Sequence, residues 1–268
     1  MIDYQIAVPS YKRPVTIQNK TLKVFEHHNI PSERVTIFVA DEIEHEAYKV
    51  ALNNHKYGSN IVIGVPTIGA QRNFIEKYYP EGTLLMMFDD DIEEVQRRQD
   101  EKTLVPIDDL YSEIIEQGFN KCAEVGAKTF GIYAASNAYF MKDRVYTKLC
   151  YIIASMFGVV VEHDDYLARE TNHGEDYEYS LRQYVKNGVL CRLDNYTVKS
   201  NYYKEEGGLQ TIRTKDYVHE SISKIANMFP DLCTMYTRKS TGNAELRLRD
   251  STNGKYQKAE STLEAFFV

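Results

Sequence analysis

Short apolar segments rich in β-branched residues recur along the first part of the chain, and the stretches between them carry apolar residues at helical spacing. The apolar segments predict buried strands over residues 5–8, 35–39, 61–65 and 84–88. The intervening stretches predict helices over residues 16–28, 42–53 and 69–79. This alternation indicates an α/β fold in which a mostly parallel, Rossmann-type sheet is flanked by helices.

Prolines mark the boundaries of these predicted elements and fall outside the helices. They are Pro9, Pro14, Pro31, Pro66 and Pro80. In open α/β sheets, ligands bind outside the carboxyl ends of the parallel strands. We therefore expect the chemistry of this protein at residues 9–10, 40–41, 66–67 and 89–91.

Beyond residue 91 the pattern is looser, but helices are predicted over residues 107–125 and 175–186 and strands over residues 129–134 and 189–198. After residue 237 the chain is polar, and leucines alternate with arginines at 246–249 as on a two-sided strand. These patterns predict one domain over residues 1–236, with a C-terminal extension over residues 237–268 packed on it.

Composition indicates a soluble globular protein of 268 residues, because 43% of the residues are hydrophobic and the mean hydropathy is -0.46. The sequence shows no apolar run long enough to cross a membrane and no secretory signal, which predicts a cytoplasmic protein without a membrane partner. Its 4 cysteines form no CxxC pair, which argues against a zinc or redox motif. The oligomeric state stays open.

Charge is distributed unevenly along the chain. The net charge is -7, yet residues 192–258 contain 12 lysines and arginines against 8 acidic residues. A basic C-terminal third suits a polyanionic substrate, while a solvated surface of mixed charge would have a similar composition.

Three consecutive carboxylates, Asp89, Asp90 and Asp91, follow the predicted strand over residues 84–88. Such carboxylates repel one another in a shared site, and a hard divalent cation such as Mn²⁺ or Mg²⁺ removes that repulsion. Alternation along an extended chain places Asp89 and Asp91 on one side and Asp90 on the other. The alternative is an acidic start to a helix beginning near Ile92.

A second acidic motif, Gly174-Glu175-Asp176, precedes a predicted helix. By itself it is typical of helix capping. Together with the aspartate triplet, it also suits a carboxylate that accepts the proton of an attacking hydroxyl.

Two further segments suit a phosphate or nucleoside: the loop over residues 9–14, with Ser10 and Arg13, and the helix start that carries Arg72. A surface arginine is an equally simple explanation of Arg72. His219 could complete a metal shell, although a lone histidine is more often structural. Motifs of P-loop proteins, zinc proteases and serine hydrolases are absent from the sequence.

These residues together resemble a GT-A fold glycosyltransferase. The resemblance rests on the strand ends at 8–14 and 38–42, the pair Arg72-Asn73, the aspartate triplet and residues 174–176. More narrowly, the chain resembles the TET-associated glycosyltransferases of bacteriophages, which are similar to enzymes that add sugars to 5-hydroxymethylpyrimidines in phage DNA. The resemblance covers roughly residues 4 to 220.

The resemblance implies a role for each candidate residue. The nucleotide-sugar pocket would be formed by Pro9, Ser10, Arg13, Asp41, Arg72, Asp89 and Asp90. The divalent metal would be held by Asp89, Asp91 and, by a looser match, His219. Asp176, with Glu175 beside it, would be the acceptor-side carboxylate, and Gly207-Gly208 either a small-residue loop over the donor or a plain turn.

The function implied is metal-dependent transfer of a sugar from a nucleoside diphosphate donor, a UDP-sugar above all, to the hydroxyl of a 5-hydroxymethylpyrimidine in phage DNA, or of one already glycosylated. One alternative is a glycosyltransferase whose acceptor is a glycan or a small molecule. Another is a module that binds nucleotide sugar or nucleic acid without turnover. Asp176 separates these classes, because a binding module has no use for a carboxylate beside the acceptor hydroxyl.

Overall fold

A computed structural model describes residues 2–200, 214–239 and 241–257. Its strands are β1 (Gln5–Pro9), β2 (Val35–Val39), β3 (Ile61–Ile63), β4 (Leu84–Phe88), β5 (Ile92–Arg98), β6 (Leu104–Pro106), β7 (Thr129–Ile132), β8 (Val145–Tyr146), β9 (Met156–Val160), β10 (Cys191–Leu193), β11 (Tyr196–Ser200), β12 (Cys233–Thr237) and β13 (Ala244–Leu248). Its α-helices are α1 (Pro14–Asn19), α2 (Thr21–His27), α3 (Glu42–Ala51), α4 (Ile68–Tyr78), α5 (Gln117–Val125), α6 (Glu175–Asn187) and α7 (Lys215–Met228).

The main sheet has eight strands in the order β3-β2-β1-β4-β9-β7-β10-β8. β1 pairs in parallel with β2 and β4, and β2 with β3, which confirms the parallel sheet predicted for the first four strands. β9 is antiparallel to both of its neighbours. Because the chain continues from β1 to β2 on one side and later returns to β4 on the other, the strand order reverses between β1 and β4, where α/β sheets bind ligands.

Helices cover both faces of this sheet, as the sequence predicts. One face carries a core that includes Phe25 of α2 and Phe119 of α5. The other carries a core that includes Ile75 of α4, Leu181 of α6 and Ile222 of α7. β2 and β4 are unbroken apolar runs in sequence because both of their faces are buried.

The aspartate triplet lies where the chain leaves the main sheet. β5 follows it directly and pairs antiparallel with β11 and β6 in a separate three-stranded sheet. The alternative of an acidic helix start near Ile92 is therefore wrong, because Ile92 begins a strand. The Thr21 hydroxyl fixes this turn: it donates to the carbonyl oxygen of Asp89 at 2.7 Å and accepts the Ile92 N–H at 3.0 Å.

Two other predicted elements are divided in the structure. The strand predicted over residues 189–198 is two strands, β10 in the main sheet and β11 in the small sheet. A turn at Asp194 and Asn195 takes the chain from one sheet to the other. The helix predicted over residues 16–28 is interrupted at Lys20, whose backbone leaves the helical region.

The C-terminal part packs on the second face. β12 and β13 form an antiparallel hairpin, and Leu246 lies in the same core as Ile222 and Ile225 of α7. The boundary placed after residue 236 falls inside β12. Within the described part of the chain, no helix is long and apolar enough to cross a bilayer.

Candidate active site

The candidate site begins at the reversal point, where Ser10 follows β1 and Asp90 follows β4. The Ser10 hydroxyl donates to Oδ2 of Asp90 at 2.6 Å and lies 2.5 Å from the Tyr48 hydroxyl of α3. Nη1 of Arg13 donates to Oδ1 of Asp90 at 3.1 Å. Burial, opposed by Arg13 and the Ser10 hydrogen bond, raises the pKa of Asp90 to about 6. Asp90, which follows β4, therefore connects the end of this strand to Ser10 and Arg13, which follow β1.

Arg72 of α4 forms an ion pair with Asp89. Nη2 of Arg72 donates to Oδ1 of Asp89 at 2.7 Å, and its Nη1 donates to the Ala154 carbonyl at 2.9 Å. Arg72 is 2% exposed, so the alternative of a surface arginine is wrong; its guanidinium pairs with Asp89 inside the protein. Burial raises the pKa of Asp89; the Arg72 charge opposes this, and the charges of Asp91 and Asp90 add to it.

Asp91 faces the small sheet and the loop after β1. Its Oδ1 accepts the Ser200 hydroxyl at 2.9 Å, and its Oδ2 lies 3.6 Å from Nη1 of Arg13. The three carboxylates of the triplet thus lie close together. Arg13 contacts Asp90 and Asp91, and Arg72 contacts Asp89.

The donor set fits a divalent cation that shares its coordination with a diphosphate. Mg²⁺ and Mn²⁺ prefer carboxylate oxygens, and such sites use one or two protein carboxylates with phosphate and water completing the shell. Over the residues that the structure describes, no three His, Cys, Asp or Glu side chains gather as metal ligands. Asp89 and Asp91 therefore suit a site completed by the donor.

Glu175 links this cluster to α6. Its Oε1 lies 3.3 Å from Nε of Arg72, and its Oε2 lies 3.0 Å from Nε of Arg169. Arg169 continues to Glu76 of α4 at 2.8 Å. Glu175 is buried, and burial raises its pKa against the opposing charges of Arg72 and Arg169. Both carboxylate oxygens of Glu175 thus face arginines.

Asp176, the next residue, points into different surroundings. Its Oδ2 accepts a hydrogen bond from the Tyr151 hydroxyl, and its Oδ1 accepts the backbone N–H of Tyr177 at 3.0 Å. The rings of Tyr151 and Tyr177 are stacked with centroids 4.2 Å apart. Burial and the Asp176 charge raise the pKa of Tyr151 well above its usual value, so Tyr151 remains a donor. Asp176 therefore stands at the start of α6 with one carboxylate oxygen bonded to Tyr151 and the other to the backbone of the helix.

Three other candidate residues have positions of different kinds. Pro9 ends β1 and is buried, and the Asp41 side chain caps α3 by accepting the Glu44 N–H at 2.9 Å. His219 is exposed on α7, and the structure does not bring it to the aspartates as a third ligand among the described residues. Gly207 and Gly208 lie outside those residues.

The helix start at residues 69–73 is occupied by protein groups. The Gly69 N–H donates to Oδ1 of Asn172 at 3.2 Å, and Asn73 exchanges hydrogen bonds of 2.9 Å with the backbone of Arg169. A side chain at Gly69 would place its Cβ 2.4 Å from the Thr171 carbonyl oxygen, which explains the glycine. This segment therefore holds the loop before α6 in place.

Sequence reasoning missed several residues that build the site. They are Thr21, Tyr48, Glu76, Tyr151, Arg169 and Ser200. None of them lies in a recognisable motif, and all except Arg169 with its near neighbour Glu175 are far along the chain from their partners. For Arg169 and Glu76, 93 residues apart, nothing local in the sequence indicates the pair.

Comparisons with known structures show the fold. S. aureus TarS 1–349 in complex with UDP-GlcNAc has a TM-score of 0.53 and 14% identity, over 84% of this chain and 66% of that one. Mannosyltransferase PcManGT from Pyrobaculum calidifontis, in complex with GDP-Man and Mn²⁺, has a TM-score of 0.50 and 11% identity, over 84% of this chain and 64% of that one. Glucosyl-3-phosphoglycerate synthase from Mycobacterium tuberculosis, in complex with Mn²⁺, UDP-glucose and phosphoglyceric acid, has a TM-score of 0.50 and 8% identity, over 93% of this chain and 87% of that one.

The chain thus spans just under two thirds of the TarS fragment's length. No curated protein matches it. The family model described as TET-Associated Glycosyltransferase matches residues 4–208, a span that contains β1 to β11 and every site residue above except His219. The GT-A fold is confirmed by these likenesses, and the chain belongs to the TET-associated glycosyltransferase family.

Proposed function

We propose that this protein transfers a sugar from a nucleoside diphosphate sugar, a UDP-sugar in the first instance, to the hydroxyl of a 5-hydroxymethylpyrimidine, or of one already glycosylated, in phage DNA. The reaction would take place in the cytoplasm and depend on Mn²⁺ or Mg²⁺. Family membership supports sugar transfer, and the named neighbours that hold UDP-GlcNAc, GDP-Man and UDP-glucose support the donor class.

One observation carries the proposal: a chain of ion pairs centred on the buried side chains of Arg72 and Glu175 joins the donor side to the acceptor side. Asp89 contacts Arg72, Arg72 contacts Glu175, and Asp176 follows Glu175 at the start of α6. The carboxylate that would meet the donor and the carboxylate that would meet the acceptor are therefore held in one rigid unit. Fixed relative placement of two reactants is a large part of what an enzyme supplies to a bimolecular reaction.

On the donor side, Ser10, Arg13 and Asp90 would support the nucleotide pocket, and Asp89 and Asp91 are the candidate metal ligands. A divalent cation held by Asp89 and Asp91 would supply positive charge to the departing diphosphate. The residues suit that cation because they place carboxylates in excess of guanidinium groups at one strand end.

On the acceptor side, the transfer step needs a proton acceptor. The acceptor oxygen forms a bond to the anomeric carbon, the bond from that carbon to the diphosphate oxygen breaks, and its electron pair leaves with the diphosphate. The hydroxyl proton passes to the Asp176 carboxylate. Tyr151 positions that carboxylate, and Glu175 positions the helix start through its arginine contacts.

The test has a donor part and an acceptor part. Calorimetric titration with UDP, GDP, CDP and ADP, with and without Mn²⁺, should give Mn²⁺-dependent binding of UDP. Labelled UDP-sugars should then label duplexes that contain 5-hydroxymethylcytosine or 5-hydroxymethyluracil and not unmodified duplex. Transfer to a glycan or to a small alcohol, with no transfer to either modified duplex, would overturn the assignment of the acceptor.

Variants separate the two sides of the site. Asp176→Asn should lower the rate of labelling by about 100-fold or more while keeping UDP binding. Asp3→Asn is the matched control, because Asp3 precedes β1 at the opposite end of the sheet and its side chain is 92% exposed.

A further inference from the structure

A cavity is lined by Tyr151, whose hydroxyl donates to Asp176, and by Tyr177, which follows Asp176 in α6. Its volume is about 320 Å³, within the range of pockets that hold small ligands. One wall is formed by the segment before β9 and by β10, with Arg144, Tyr151 and Arg192. The opposite wall is formed by Tyr177 of α6 and by Leu246 of the β12–β13 hairpin. Aromatic, aliphatic and cationic groups therefore converge on one space.

Tyr151 connects this cavity to the reaction. The residue lines the cavity, its ring stacks on that of Tyr177, and its hydroxyl donates to Asp176. A ligand that packs against Tyr151 therefore lies beside the carboxylate assigned to the acceptor hydroxyl. Planar aromatic rings next to a reacting group are how proteins hold a nucleobase taken out of its stack.

The charge of the cavity favours a phosphate at its mouth. Arg144 and Arg192 both pair with the buried carboxylate of Asp194, at 2.9 Å and 2.6 Å. Two guanidinium groups thus share one carboxylate, so Asp194 balances only one charge at the Arg144 end of the cavity, while Asp176 lies at the Tyr151 end. The Arg144 side chain is 54% exposed, so it can meet an anion from solvent. A neutral glycan has no group that requires this charge.

The loop that leads to Arg144 carries two exposed aromatic rings. Tyr139 is 66% exposed and Phe140 58%, with ring centroids 5.1 Å apart. The Lys142 N–H of the same loop donates to the Asp194 carbonyl oxygen at 3.2 Å, which anchors the loop beside the cavity. Apolar rings on a loop with neighbouring cations are the kind of group that inserts between base pairs when a nucleotide is displaced.

The geometry points to this cavity as the acceptor subsite. It receives a pyrimidine nucleotide extruded from DNA, with its base against Tyr151 and Tyr177 and its phosphate at Arg144, while Tyr139 and Phe140 contact the duplex that it left. This inference rests on the proposed function and adds the place and manner of acceptor binding.

Salt-dependent binding tests the phosphate contact. The affinity of the full chain for a duplex with one 5-hydroxymethylcytosine is measured at four salt concentrations for wild type, Arg144→Ala and Arg34→Ala. Each phosphate contact contributes about -0.9 to the slope of log affinity against log salt. We expect a slope shallower by about that amount for Arg144→Ala and a raised KM for DNA.

Arg34→Ala is the matched control and should keep the wild-type slope and rate. Arg34 precedes β2, at its amino end. Both arginines lie over a tyrosine ring: the guanidinium of Arg34 is 4.5 Å from the Tyr4 centroid, and that of Arg144 is 4.9 Å from the Tyr146 centroid. If Arg144→Ala and Arg34→Ala give equal slopes of log affinity against log salt, and wild type transfers sugar to DNA, the inference is overturned and the proposed function stands. If wild type transfers no sugar to DNA, the proposed function itself has failed, so the two failures are distinguishable.

Photocrosslinking of the wild-type protein gives a second readout that needs no variant. A duplex with 5-iododeoxycytidine at the target position carries the iodine where the hydroxymethyl group would be. Irradiation and peptide mapping should place the crosslink on Tyr146, Tyr151 or Tyr177, all of which line the cavity. A crosslink found only elsewhere, such as on Tyr236 of the hairpin, or no crosslink at all, overturns the inference.

Discussion

Ser10 and Asp90 are 80 positions apart in sequence, yet the Ser10 hydroxyl donates to the Asp90 carboxylate at 2.6 Å. The contact spans the ends of β1 and β4, the neighbouring strands between which the strand order reverses. The second aspartate of the triplet is thereby turned into the protein, and Asp89 and Asp91 are the candidates for metal binding. Its role is to join two strand ends on which the pocket is built.

The turn of the triplet should depend on Thr21. Thr21→Val keeps the shape of the side chain but removes the acceptor of the buried Ile92 N–H and the donor to the Asp89 carbonyl. Leaving such a buried group without a partner costs about 1–3 kcal/mol. Urea unfolding should show a loss of this size in the free energy of unfolding, and a wild-type value would contradict the role given to Thr21.

The buried Asp90 should make stability depend on pH. Its folded pKa is raised from 3.8 to about 6, so the folded state binds this proton more tightly than the unfolded state does. The stability from Asp90 is full below pH 4 and is lost as pH rises through 6. Asp90→Asn cannot ionise, so its free energy of unfolding should improve relative to wild type by about 1–3 kcal/mol between pH 4 and 7. Unfolding in chelator-treated buffer across this range measures the difference, and a constant difference would count against the burial of a charge here.

Asp91 should govern metal binding with little effect on folding. Asp91→Asn can still accept the Ser200 hydroxyl but offers no anionic ligand. Even the partners of metal ligands typically contribute about 10–100-fold to affinity, so loss of a ligand should weaken Mn²⁺-dependent UDP binding at least about tenfold. Calorimetry with UDP at fixed Mn²⁺ measures this, with Asp3→Asn as control. Wild-type affinity for Asp91→Asn would remove Asp91 from the metal site.

Tyr151 should affect turnover through Asp176. Tyr151→Phe removes the hydrogen bond to the carboxylate and keeps the stacked ring. We expect kcat to fall about tenfold, less than the ~100-fold loss expected for Asp176→Asn, with the KM for the donor unchanged. Tyr57→Phe is the matched control, because its hydroxyl donates to the Ile30 carbonyl away from the site. An equal kcat for wild type and Tyr151→Phe would show that Asp176 needs no such positioning.

The sequence was sufficient for β1, β2 and β4 because burial on both faces gives each of them an apolar run. The third predicted strand was expected to be buried over residues 61–65, but β3 is the edge strand Ile61–Ile63 and is only partly buried. The same reasoning failed over residues 189–198, where two strands belong to different sheets. A run of β-branched and apolar residues has the same pattern whether it forms one strand or two strands joined by a turn. The strand pairing distinguishes these cases: Arg192 pairs with Tyr146 in the main sheet, and Val198 pairs with Val95 in the small sheet.

Within the site, the sequence indicated the residues that lie in motifs and missed those that hold them. The aspartate triplet and Asp176 stand out because consecutive carboxylates at element ends are costly without a function. Arg169 and Tyr151 do not, because their importance comes from contacts with Glu175 and Asp176 that tertiary packing creates. Glu175 faces two arginines, whereas Asp176 faces a tyrosine. The sequence cannot indicate this difference, because it shows only two adjacent acidic residues.

Sugar transfer to modified DNA is tested most directly by the intact mass of a hydroxymethylated DNA strand after incubation with the protein, Mn²⁺ and a panel of UDP-sugars. We expect one sugar residue to be added per 5-hydroxymethylpyrimidine with a preferred donor, unmodified DNA to gain nothing, and Asp176→Asn to modify far less of the strand in the same time. An unchanged strand with wild type and every donor, alongside release of UDP to another acceptor, would contradict this expectation.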